Sequence, residues 1–408
     1  MIYAAILGHG VVGSGAAEIL EESRAKIREA VKDDLVVKHI LDLREFPDTP
    51  YADKFTKDFS VIVNDPEVQI VAEAMGGLHP AYDFVKACLE AGKSVVTSNK
   101  ELVAAKGFEL LGIAKEKNVN FLFEASVGGG IPVLRPMAQC LSANEITDIV
   151  GILNGTTNYI LDKMVVDNMS FEDALKLAQE NGFAEKDPTA DIEGHDACRK
   201  ICILAALGFG KHVYPEQVKT KGITEVTAED VESAENFNCV IKLIARATKN
   251  ADGTISADVR PTIIPREHIL ASVNGVNNAV MVVGDRTGPV LFYGKGAGKF
   301  PTASAVVADM MDCAKHLSAR KYLSWEDGFE GYVTESCAPT QFYVTAYTEK
   351  VETLCEEISK VFSPDRTLLK NSISGTVTFI TPSLAENELK EKLQTLSARR
   401  VKIFHTLF

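Results

Sequence analysis

The sequence predicts an α/β chain built in three units, and three observations carry that prediction. Over the first ~125 residues short apolar runs alternate with helical patterns, as in a parallel sheet with crossover helices. Gly8-His9-Gly10-Val11-Val12-Gly13 falls between the first strand and the first helix. The last ~70 residues run strand, helix, strand, strand, helix, strand, the βαββαβ order of a ferredoxin-like split.

Taken in order, Ile2 to Leu7 is apolar throughout, which suits a strand buried on both faces. Val11 to about Val31 reads as one long amphipathic helix, and Val36 to Leu41 as the second strand. Ile70 to Ala74 is a later strand and Pro80 to Ala91 a helix. Ser94 to Thr97 and Asn120 to Phe123 are further buried strands. From about residue 126 to Thr302 the pattern is mixed, an α+β unit. Pro301 to Lys321 is strongly helical, and residues 322–337 look like a linker. In the final unit, residues 338–408, the strands are Gln341–Tyr347, Thr367–Ile373, Thr376–Thr381 and Val401–Leu407. The helices there are Val351–Phe362 and Glu386–Leu396.

The glycine motif has mechanical meaning where it stands. The first glycine permits the tight turn, the second lets backbone approach a pyrophosphate, and the third allows close helix packing. The helix that follows presents free N–H groups, here from Val11 and Val12, to phosphates. A Rossmann-type dinucleotide-binding unit is the reading. A merely structural glycine turn is the plain alternative. His9 reads as a small polar filler of that loop.

Composition excludes several classes. A net charge of −13 argues against a nucleic-acid partner, which needs a basic footprint. It does not argue against a nucleotide cofactor held by local dipoles. No apolar run approaches the ~20 residues of a membrane helix, and Met1-Ile2-Tyr3 opens into a strand without a charged leader. The eight cysteines form no CxxC pair, and Cys198 with Cys202 reads as a buried reduced pair. A cytoplasmic, reduced protein is expected.

The chemistry concentrates in Gly182-Phe183-Ala184-Glu185 through Asp187-Pro188-Thr189-Ala190-Asp191-Ile192-Glu193-Gly194-His195-Asp196 to Lys200. Asp196 and Lys200 are one helical turn apart, above the apolar run Ile201 to Leu207. Ionised groups are rarely buried unless paired, so the pair reads as lying at the mouth of a cavity. A surface helix pair is the plain alternative. Lys200 is the candidate proton carrier. An ordinary lysine titrates near ~10.4, so burial or neighbours must tune one that works at neutral pH. Asp196 would hold the ammonium form, which suits donation to an aldehyde.

These motifs resemble the homoserine dehydrogenase family. The likeness also rests on Thr97-Ser98-Asn99-Lys100, Glu124-Ala125-Ser126-Val127-Gly128-Gly129-Gly130-Ile131-Pro132, Asn154-Gly155-Thr156-Thr157-Asn158-Tyr159 and Gly294-Lys295-Gly296-Ala297-Gly298-Lys299. All stand in the family's order and span most of the chain. The resemblance implies reversible reduction of L-aspartate 4-semialdehyde to L-homoserine with NAD or NADP, in threonine, methionine and isoleucine biosynthesis. It implies a discontinuous dinucleotide domain of residues 1–125 plus about 303–325, a substrate/catalytic domain of 126–302 and a monofunctional chain without a kinase unit. The C-terminal unit resembles the ACT module in order of elements. Its first turn, Tyr347-Thr348-Glu349-Lys350-Val351, lacks glycine, so weak threonine regulation and a role in dimerisation are expected. A homodimer or homotetramer follows.

By the same resemblance Glu185, Asp191 and Asp196 contact substrate and order Lys200. An N-cap role for Asp191 stays open beside that. Lys100 belongs to the substrate or nicotinamide end, although spacing alone allows an exposed lysine. Asn154, Gly155 and Thr156 could cradle a carboxylate, with a plain turn held equal. The cofactor set comprises Gly8, Gly10, Val11, Val12, Gly13, Asp42, Arg44, Gly76, Thr97, Ser98, Lys100, Gly182, Gly296 and Gly298. Glu124, by its carboxylate, and carbonyls of Val127, Gly129 and Ile131 resemble the family's sodium site. Asp42 at the end of strand two suits the ribose of NAD. NADP-using relatives often carry arginine just before it, where this chain has Leu41; Arg44 is near enough for a 2′-phosphate. NAD is favoured, with NADP tolerated. Two rivals stay in view: a dehydrogenase of another amino-acid semialdehyde, and a catalytically idle amino-acid sensor, against which the intact acid–lysine helix argues.

Overall fold

The computed structural model describes residues 1–317, 323–335, 338–363, 369–371 and 374–407. Its first sheet has six parallel strands: β1 (Ile2–Leu7), β2 (Leu35–Leu41), β3 (Phe55–Thr56), β4 (Val68–Glu73), β5 (Ser94–Thr97) and β6 (Phe121–Leu122). Their order is β3-β2-β1-β4-β5-β6, the doubly wound arrangement in which ligands sit at the carboxyl ends of the strands. The apolar sequence of β1 is explained by burial on both faces: Ala4 to Leu7 are fully enclosed.

The expected long first helix is two helices, Val11–Glu22 and Arg24–Val31, meeting at Ser23. Serine competes for backbone hydrogen bonds at helix ends, and the break lets Ile27 and Val31 join the core beside Leu35 and Val37. The two-residue β3 was not foreseen. The helix expected over 301–321 runs Lys299–Lys315, and residues 318–322 lie outside the described ones. It packs along the helix Val11–Glu22, where a Cβ on Gly15 would stand 3.0 Å from Ala303 Cβ. Val306, Met310 and Cys313 share a core with Ile6 and Leu20.

The second sheet holds β7 (Ile146–Ile152), β8 (Lys219–Thr220), β9 (Cys239–Lys249), β10 (Ile255–Pro265), β11 (Asn277–Gly284), β12 (Gly288–Lys295) and β13 (Val333–Thr334). The C-terminal strands β14 (Phe342–Tyr347), β15 (Leu369–Asn371), β16 (Thr376–Ile380) and β17 (Arg400–Thr406) continue it. The expected second strand of that unit, 367–373, is seen only as β15, because residues 364–368 and 372–373 lie outside the described ones. The order β17-β14-β16-β15 and the two intervening helices are the ferredoxin-like split.

One edge of the C-terminal strands is closed, because β17 pairs with β10 through Thr262 with His405 and Ile263 with Thr406, while β15 ends the strand order. Lys402 of β17 also pairs with the buried Asp230 of the helix Ala228–Asn236. Among the described residues of the expected linker, 323–335, Trp325 and Tyr332 are buried and Val333–Thr334 pairs with β10, so this stretch is packed rather than loose. Trp325 and Tyr332 hold that segment in place; flanked by Gly328 and Gly331, two aromatic residues were too few to signal a core.

The helix His195–Phe209 packs between the helix Lys100–Lys117 of the first unit and strands β7 and β9 of the second, and its residues Lys200 to Ala206 are all buried. Apolar side chains on every face left it no solvent side.

Candidate active site

At the carboxyl end of the first sheet, Gly8 has φ +92, and a Cβ on it would meet Met75 Cγ at 2.8 Å. A Cβ on Gly13 would meet the Gly8 carbonyl at 1.9 Å, whereas Gly10 faces open space. These are the three distinct demands of a dinucleotide loop. Val11 stands 66% exposed at the helix start, beside the free N–H groups. His9 is packed by Phe46, Tyr51 and Phe55, and burial lowers its pKa. It is a filler of the loop's underside, as expected.

Asp42 accepts the His9 N–H at 2.8 Å and is gripped by Arg44, through Nε at 3.0 Å and Nη2 at 2.9 Å. The Arg44 guanidinium holds this carboxyl well below the usual range. Leu41 points instead into the core, 6% exposed, beside Leu7 and Ile62. The Leu41 side chain thus lies away from the Asp42–Arg44 pair.

Glu73, which the sequence reading missed, organises the neighbouring strand ends. It is fully buried at the end of β4 and accepts the N–H of Met75 and Gly76 and the Thr97 hydroxyl. Burial raises its pKa despite these bonds. The bonds fix Gly76 (φ +77) and Thr97 together, so the Thr97 hydroxyl is committed to Glu73. Ser98 follows, its N–H on the Glu73 carbonyl, and Asn99 caps the helix that starts at Lys100. An acid closing an otherwise apolar strand was the only signal for Glu73.

The acids and lysines converge on Asn154. Its Nδ2 donates to Asp191 Oδ1 at 2.6 Å and to Asp196 Oδ2 at 2.8 Å, while its Oδ1 caps the helix Gly155–Val166 through Thr157. Lys200 Nζ donates to Asp196 Oδ2 and to the Leu153 carbonyl, each at 2.7 Å. Lys100 Nζ lies 3.0 Å from Asp196 Oδ1. Burial alone would push Asp196 up; Lys200 and Lys100 overcome it and hold the carboxyl well below its ordinary range. Asp191 is raised, by burial first and then by Asp196. The Asp196 charge raises Lys100.

An ammonium has three N–H groups. Two of those on Lys200 are spent on protein acceptors, leaving one for a ligand. Gly155 and Thr156 begin a helix, where the first N–H groups lack intrahelical partners. The Asn154 side-chain N–H groups both bridge the acids. Thr156 Oγ1 donates to the Phe183 carbonyl at 2.7 Å. Asp191 is not an N-cap: Pro188 holds that place, and Asp191 lies inside the short helix. Glu185 is not brought into the cluster; it lies exposed on the loop after Gly182 (φ +71).

Behind the cluster, Lys242 is buried and donates to the Val273 carbonyl, Asn158 Oδ1 and Asn274 Oδ1. Burial brings its pKa down to about 8. It anchors the 273–277 loop, against which Gly155 packs so closely that a Cβ would meet the Val276 carbonyl at 2.7 Å.

The Glu124 loop joins the two sheets. Both carboxylate oxygens accept N–H groups of Val133, Leu134 and Arg135 at the next helix start. These bonds fix the carboxylate's direction, and Oε2, which accepts only the Arg135 N–H, keeps a lone pair for a further partner. Gly129 (φ +54) abuts the cofactor-side turn: its Cβ would lie 2.5 Å from the Gly296 carbonyl. Gly298 (φ +129) closes that turn before the helix Lys299–Lys315.

Asp309 of that helix is buried between the Glu124 N–H and Arg135. Burial outweighs the arginine and pushes it up to about 7. A carboxyl raised in the folded state stabilises most below the unfolded pKa of ~3.9, and that contribution is lost as pH rises through about 7. Asp309→Asn should flatten the fall in stability across that window, measured by denaturant unfolding at several pH values. An unchanged slope would contradict the assignment.

Comparison with known proteins agrees with this geometry. A family model described as the NAD binding domain of homoserine dehydrogenase matches residues 8–124, and one described as homoserine dehydrogenase matches 132–311. A Synechocystis homoserine dehydrogenase is 46% identical over 312 residues, 75% of this chain and 72% of the relative. One from Helicobacter pylori is 38% identical across 90% of this chain and 86% of its own. Among solved structures, a homoserine dehydrogenase from Thiobacillus denitrificans superposes with TM-score 0.91 at 34% identity, covering 100% of this chain and 98% of the other. A hyperthermophilic archaeal homoserine dehydrogenase in complex with NADPH matches 76% of this chain and 97% of its own, with TM-score 0.64 and 28% identity.

Proposed function

The chain belongs to the homoserine dehydrogenase family, and from that premise we propose that Lys200, held by Asp196, carries the proton in the interconversion of L-homoserine and L-aspartate 4-semialdehyde. The observation that supports it is the shared grip of Asn154 on Asp191 and Asp196 beside two lysines. A bound nicotinamide supplies or accepts the hydride. In reduction Lys200 Nζ gives a proton to the aldehyde oxygen as charge develops there; in oxidation it takes the hydroxyl proton. Asp196 keeps the ammonium aimed and neutralises part of the charge of Lys100.

The substrate amino group is cationic and fits beside Asp191, whose burial leaves it short of a positive partner. Glu185 would join from its exposed loop as that loop folds over bound substrate. The substrate carboxylate fits the N–H groups of Gly155 and Thr156, with Lys100 near by. A monovalent cation at the Glu124 loop would rest on the Glu124 carboxylate and the carbonyls of Val127, Gly129 and Ile131. Reduction of NAD and of NADP by the purified chain with L-homoserine, followed by absorbance, tests the reading. Turnover of another amino-acid semialdehyde with none of homoserine would overturn it.

For the cofactor, Asp42 accepts from ribose hydroxyls only after Arg44 swings out, and the freed guanidinium can then meet a 2′-phosphate. Both nucleotides are therefore usable, with NAD favoured by the intact acid. Arg44→Ala should raise the KM for NADP about tenfold or more, the loss of one charge-assisted contact, and leave that for NAD much less affected. Equal changes for the two would place the 2′ position elsewhere.

A further inference from the structure

Asn278, at the start of β11, is 1% exposed and is absent from the reading of the site so far. Its Nδ2 donates to the Leu153 carbonyl at 2.8 Å, the same oxygen that accepts from Lys200 Nζ at 2.7 Å. A carbonyl has two lone pairs, so the two donors fill it and fix its direction. The other end of the amide is unlike its surroundings: Asn278 Oδ1 is buried with no hydrogen-bond partner. A buried acceptor left unmade is costly, and an apolar side chain of this size would avoid that cost. The amide also presses on the cofactor-side turn. A Cβ on Gly296 would stand 2.0 Å from Asn278 Nδ2 and 2.2 Å from its Cγ. Gly296 in turn abuts Gly129, so amide, turn and glycine loop stack without spare room.

We propose that Asn278 is a positioning residue for the proton transfer: it fixes the Leu153 carbonyl that, with Asp196, aims the Lys200 ammonium, and it ties that aim to the Gly296 turn. The proposal rests on Lys200 as the proton carrier. Without the second donor the Leu153 carbonyl can tip, and Lys200 follows it away from the substrate oxygen. A displacement of about an ångström in such a group costs on the order of 100-fold in rate.

The test uses the full chain with homoserine and NAD or NADP. Asn278→Ala should lower kcat about 10- to 100-fold, with both KM values within about threefold of wild type. Asn278→Asp keeps the shape but, once ionised, offers no donor. It should be as slow as the alanine variant at neutral and alkaline pH. Relative to wild type at the same pH it should recover as the pH falls, because a protonated carboxyl regains an O–H for Leu153. A purely structural role would lower thermal stability without this recovery. If Asn278→Ala does not fold, the pH-dependent recovery of Asn278→Asp still decides. A folded alanine variant with kcat within about twofold of wild type, or a loss carried by KM alone, overturns the proposal. Should Lys200→Ala stay active, the underlying reading fails instead, so the two failures are distinguishable.

Discussion

Lys200→Ala should lower kcat by ~10²–10⁴-fold or more in both directions and leave cofactor affinity nearly unchanged. Lys200 is enclosed, with its ammonium held by Asp196 and the Leu153 carbonyl at 2.7 Å each. Removing it leaves nothing in the cluster placed to exchange the proton except Lys100, which sits on the opposite oxygen of Asp196. The cofactor loop at Gly8–Gly13 and the Asp42–Arg44 pair belong to another sheet, so nucleotide titration should report wild-type binding. Retention of more than about a tenth of wild-type kcat would remove Lys200 from proton transfer.

Asp196→Ala should act on both rate and stability. Its carboxylate is the common acceptor for Lys200, Lys100 and Asn154. Breaking a buried ion pair by removing one partner typically costs ~3–5 kcal/mol, because the remaining charge is left uncompensated. Here two ammoniums lose their counter-charge, although Lys100 is partly exposed and water screens it. Turnover should fall at least as far as in Lys200→Ala, with a lowered unfolding midpoint. Asp196→Asn preserves the shape and separates the effects: it should fold better than the alanine variant and remain slow. Wild-type turnover in the asparagine variant would show that the charge of Asp196 is not needed.

Much of this was legible because it is local. The glycine loop spans six residues, and Asp196 and Lys200 share one helical turn. The βαββαβ order follows from periodicity alone. What escaped depends on contacts between distant segments. Asn154 meets Asp191 and Asp196 across 37 and 42 residues, and Asn278 meets Leu153 across 125. Nothing in NGTTNY tells a carboxylate cradle from a bridge between two acids; only the position of the lysine helix does. The pairing of β17 with β10 was hidden for the same reason, since an edge strand and a paired one share a sequence pattern. The break at Ser23 was missed because one apolar stripe continues through both helices. Sequence adjacency does not tell that Leu41, next to Asp42, turns its side chain into the core.

The most direct measurement is a crystal structure of the chain with L-homoserine and an oxidised nicotinamide cofactor. The expected result puts the homoserine hydroxyl on Lys200 Nζ, its amino group beside Asp191, and its carboxylate at the N–H groups of Gly155 and Thr156. A hydroxyl resting on Lys100, with Lys200 still turned to Asp196 and Leu153 and out of reach, would contradict the account.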